Sequence, residues 1–63
     1  MPNQCQNLAI DVRQLIDKVP PLDIPIGIRE ILKRELLGCE RELGQAETNA
    51  LIAALFPPQP PPR

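Results

Sequence analysis

At 63 residues the chain amounts to one small domain that buries a modest share of its surface, and with two cysteines too few for a disulfide framework, self-association is its most available source of extra buried area. Its seven basic and eight acidic residues, formal net charge −1, are interleaved, so the one-signed basic patch of a nucleic-acid binder is missing. His, Ser, Tyr and Trp are all absent, which removes most nucleophiles, neutral-pH general bases and aromatic cofactor platforms and argues against an enzyme, and no cofactor or metal is expected.

Asn3, followed three residues later by Gln6, has the form of a capping box and predicts the start of a first helix. Cys5, Leu8, Val12, Leu15 and Val19 then recur in steps of three and four, with Ala9 and Ile16 widening the seam. Lys18 suits the negative end of the helix dipole, and Pro20 and Pro21 end the helix. Ile10 lies off this stripe.

The longest predicted helix runs from Ile24 to Leu43, with Asp23 as its expected N-cap and Pro25 in its first turn. Ile24, Ile28, Ile31, Leu32, Leu36, Cys39 and Leu43 share one face, and Arg29, Glu30, Lys33, Arg34, Glu40 and Arg41 fill the other. Gly38 and Gly44 weaken this helix, and Gly44 predicts a stop or sharp bend. The short link makes the two helices an antiparallel hairpin, in which Cys5 faces Cys39, Leu8 faces Leu36, Val12 faces Leu32 and Ile16 faces Ile28. Packed helix axes lie about 8 to 10 Å apart and a disulfide needs Cα atoms within about 7 Å, so the two thiols are expected to be neighbours without a bond.

From Gln45 to Phe56 the pattern is helical again. A short third helix folding Leu51, Ile52, Leu55 and Phe56 back onto the hairpin is preferred to a continuation of the second, because burial of each large side chain stabilises by about 1.5 to 3 kcal/mol. In a dimer the same four residues serve equally as intermolecular packing. Residues 1–56 thus form one all-α domain, and 57–63 a proline-rich extended tail of polyproline II type. Pro58, Pro61 and Arg63 fit a P-x-x-P-x-R pattern, which resembles the core of SH3-domain ligands.

Candidate sites are few. Asp11, Asp17 and Asp23 have no ligand-like spacing, and Gly27, Gly38 and Gly44 are isolated and build no phosphate loop. Leu37, opposite the core stripe, with Lys33, Arg34 and Arg41 beside it and Ile26 further along, has the make-up of an anchor for a protein partner; packing of Leu37 against the last helix or a second copy of the chain is the other reading. No apolar run reaches the roughly 20 residues of a membrane span and no signal-peptide pattern opens the chain. The expectation is therefore a soluble cytoplasmic protein with reduced cysteines.

These readings combine into an all-α helical hairpin with a short third helix, paired as a homodimeric bundle. The expected role is that of a non-enzymatic binding module that inhibits or regulates another protein by occlusion or sequestration, without nucleic acid or membrane. In size and class it resembles the small antagonists of host regulators carried by phages and mobile elements. Recognition of the proline tail by an SH3-like groove, or service as an oligomerising subunit of a larger assembly, are the alternatives.

Overall fold

The computed structural model describes residues 3–58; Pro61 and Arg63 of the tail pattern lie outside the described residues. Four α-helices and one 3-10 turn follow in order: α1 (Gln4–Lys18), the turn Pro21–Asp23, α2 (Ile26–Gly38), α3 (Glu40–Leu43) and α4 (Gln45–Leu55). There is no strand among the described residues. Helix α1 begins where its cap predicts, with Asn3 Oδ1 accepting the Gln6 N–H at 2.7 Å. It ends at Lys18, before the proline pair.

Helix α2 starts later than expected. A residue before proline is biased away from helical backbone, and Ile24 accordingly sits at φ −78°, ψ 128°, ahead of Pro25. The helix therefore opens from Pro25, whose carbonyl accepts the N–H groups of Ile28 and Arg29, and Asp23 belongs to the 3-10 turn instead of capping. Ile24, placed out of helical phase, is buried all the same.

At the far end the predicted helix breaks twice. Cys39 closes α2 with a tightened bond from its N–H to Leu36 O (2.9 Å), and α3 restarts from the Cys39 carbonyl. Gly44 then turns the chain at φ 90°, ψ 148°, a conformation open in practice to glycine alone. The expected bend at Gly44 and the separate last helix are thus present. With the chain reversed there, α4 packs against α1, α2 and α3.

The core consists of Ala9, Val12, Ile24, Leu36, Leu51 and Leu55, with Leu8, Leu15, Ile16, Leu32 and Phe56 partly buried around it. Leu51 and Leu55 are therefore buried within the chain itself, and Ile52 and Phe56 half-buried. The hairpin layers expected at Leu8–Leu36 and Val12–Leu32 involve residues of this cluster, whereas Ile28 is 47% exposed and Ile31 60%. The cause is the docking side of α4. Arg29 of α2 reaches Leu55 O and the Phe56 ring, and Leu32 and Leu36 on the same arc join the core, so the buried stripe lies away from Ile28 and Ile31.

Cys5 and Cys39 form a disulfide, with Cα atoms 5.5 Å apart, and no described cysteine is free. The expectation of unbonded thiols compared the wrong separation. Cα atoms stand about 2.3 Å off their helix axes, so facing Cα atoms across axes about 10 Å apart come within about 5 Å, inside disulfide range.

Candidate functional site

The two long sides of α2 do different work. On the inner side, Arg29, assigned by its position to the polar face, is a structural clamp. Its Nε donates to Ile24 O (3.0 Å) and its Nη1 to Leu55 O (3.1 Å), while the guanidinium carbon stands 5.3 Å from the centre of the Phe56 ring. A cation is thereby held at the C-terminus of α4, where the helix dipole is negative and the last carbonyls lack helical donors. Lys33 Nζ lies 5.6 Å from the same ring, so Phe56 is flanked by two cations.

The outer side of α2 is uncovered. Glu30, Ile31, Lys33, Arg34 and Leu37 line an open depression of about 280 Å3. Leu37 is 48% exposed, and Ile26 (55%) lies almost in line with it, three turns of helix away. Of the residues proposed from sequence to surround Leu37, Lys33 and Arg34 share this depression, while Arg41, on α3, and Ile26 are not part of its lining. Lys33 also links the patch to Phe56, from which Pro57 and Pro58 leave the fold. Pro58 is exposed and outside any regular element.

A second, larger opening of about 470 Å3 lies between α1 and α2. Its walls include Leu8, Asp11, Glu35 and Gly38, and the Cys5–Cys39 bond is at its end. Across the molecule, Arg13 of α1 pairs with Glu47 of α4, an exposed ion pair that ties the two helices together. Thr48 is fully buried, and its hydroxyl has no hydrogen-bond partner. Among the described residues no group of three or more His, Cys, Asp or Glu is placed to hold a metal ion, and no helix is long and apolar enough to cross a membrane.

Sequence reasoning missed the part of Arg29. The available signal was its place one turn before Lys33 and next to the arc of Leu32 and Leu36, which a folded-back last helix has to cover. Thr48, the chain's single Thr, carried none. No protein-family model, curated protein or solved structure matches the chain.

Proposed function

We propose that the chain is a small non-enzymatic binding module, working as a homodimer, that inhibits or regulates a partner protein by covering one of its surfaces. The observation that carries this reading is the balance of burial. Among the described residues six hydrophobics are buried and six large ones are exposed, three of the latter being Ile26, Ile31 and Leu37 on the outer side of α2. On that side Leu37 and Ile26, with Lys33 beside Leu37, suit a partner that brings apolar side chains edged by carboxylates.

The disulfide bears on where the module acts. Bonds of this kind persist in oxidising surroundings and are held reduced in the cytosol. The bonded fold suits an oxidising compartment; in the cytoplasm, the setting expected from the sequence, the bond would be reduced and the hairpin left to its small core.

The test is Leu37→Glu in the full chain, with circular dichroism as the control for folding. Leu37 is exposed, so helicity is expected to stay, while binding of the partner falls by about tenfold or more, the range of a central apolar anchor. A chain ended after Phe56 is expected to bind as before. Loss of binding on that truncation, with Leu37→Glu unaffected, would move recognition to the proline tail.

A further inference from the structure

We propose that the strip of α2 through Gly27, Ile31, Arg34 and Gly38 is the contact between two copies of the chain, and that it receives the same strip of the second copy running antiparallel about a two-fold axis. This names the homodimer interface of the reading above and rests on that reading for there being a dimer at all. The partner-binding residue Leu37 lies on a neighbouring arc.

Three observations carry it. The first is apolar exposure without an occupant: Ile31, 60% exposed, is the most exposed of the large hydrophobics among the described residues, and Ile28 beside it is 47% exposed. On a helical wheel the four strip residues fall within about 60°, so they form one line down the helix.

The second is the order of charges. In an antiparallel pairing that sets Gly27 opposite Gly38, Glu30 of each copy falls beside Arg34 of the other, twice by symmetry, and Glu35 falls beside Ile28. A parallel pairing would set Glu30 on Glu30, Arg34 on Arg34 and Glu35 on Glu35. Like charges placed opposite one another oppose association, so the charge order selects the antiparallel arrangement and a second copy as the occupant.

The third is area. A stable pair buries about 800 Å2 per partner, roughly one sixth of this chain's 4857 Å2, and a single helix about 20 Å long is too narrow to supply it. The opening between α1 and α2 continues the strip at Glu35 and Gly38 and adds Leu8 to the face; Asp11 and Glu35, which line it too, set like charge across the axis, a repulsion that the two Glu30–Arg34 pairs and the apolar strip have to exceed. Two hairpins laid face to face through it make a bundle of four long helices.

The experiment is sedimentation of the intact, oxidised chain over a hundredfold concentration range, read by interference optics because Trp and Tyr are absent. The wild-type chain is expected to pass from monomer towards dimer, and Ile31→Glu to remain monomeric with its helicity unchanged. E30R and R34E alone each place like charges across the axis and are expected to weaken the dimer by about tenfold or more. Mixed in equal amounts they are expected to associate about as tightly as wild type, because position 30 of the first variant, now basic, then meets position 34 of the second, now acidic. The pair Glu30 and Arg34 within one helix cannot explain that rescue. A wild-type chain that stays monomeric, a dimer indifferent to Ile31→Glu, or a mixture no tighter than its components overturns the proposal. Partner binding by a monomer that is still lost on Leu37→Glu would leave the binding site standing and remove the interface alone.

Discussion

Replacing both cysteines, Cys5→Ala with Cys39→Ala, removes the one covalent link across the hairpin. The bonded residues are 34 apart in sequence. For a closed loop of that length the chain-entropy relation gives a loss of about 4 kcal/mol at 25 °C. A domain of this size is stable by about 3 to 9 kcal/mol in total, so the loss takes away much or all of its stability. The core is small: among the described residues six hydrophobic side chains are buried, and the one buried polar side chain, Thr48, brings a hydroxyl. Urea unfolding followed by far-ultraviolet circular dichroism is the assay, with the oxidised wild type beside the variant and beside wild type under a phosphine reductant. With a slope near 1 kcal/mol per molar, the midpoint is expected to fall by about 3 to 4 M, or the variant to be largely unfolded in buffer. The reduced wild type is expected to behave like the variant. A fall of less than about 1 M would refute the reasoning, since the helices would then hold the hairpin closed without the bond.

Thr48→Val is expected to stabilise. The buried hydroxyl has no partner, and its removal relieves a desolvation penalty of about 1 to 3 kcal/mol, which raises Tm by roughly 4 to 8 °C per kcal/mol. Gly44→Ala is expected to destabilise by about 1 to 3 kcal/mol, because the strain lies in φ 90° and not in any neighbouring atom. Gly27→Ala, in a helix with open space beside it, is expected to stabilise the monomer by up to about 1 kcal/mol. Thermal melts at low concentration check all three. Arg29→Met keeps the stem and drops the donors to Ile24 O and Leu55 O, and is expected to cost about 2 to 3 kcal/mol and to loosen the end of α4 first, seen as faster amide hydrogen exchange at residues 52–56.

The first helix was legible almost to the residue, since the Asn3 cap, the spacing from Cys5 to Val19 and the proline pair are local signals that nothing in the tertiary fold opposes. Gly44 was legible for the same reason. The facing of α2 was not, because its hydrophobic arc is wide enough to offer two stripes, one through Ile28 and Ile31 and one through Leu32 and Leu36. Which of them is buried depends on where α4 docks, a long-range matter marked by Arg29 reaching Leu55 O across 26 residues of sequence. The disulfide was half legible. Pattern matching brought Cys5 to Cys39, but bonding depends on which way the two Cα atoms face, a distance of a few ångströms that periodicity does not carry. Of the candidate site, the neighbourhood of Leu37 with Lys33 and Arg34 could be read from a wheel; the share of Lys33 in the clamp on Phe56 could not.

The central claim, that the outer side of α2 around Leu37 docks on a foreign protein, is tested most directly by placing a photoreactive leucine analogue at position 37 of the full chain and irradiating it in an extract of the cells in which the chain is made. The account predicts one heteromeric adduct of discrete mass, competed by unlabelled wild type but not by Leu37→Glu, and absent when the label is moved to Ala53, an exposed position on α4. Adducts that are the same from positions 37 and 53, or only adducts between two copies of the chain, would contradict it.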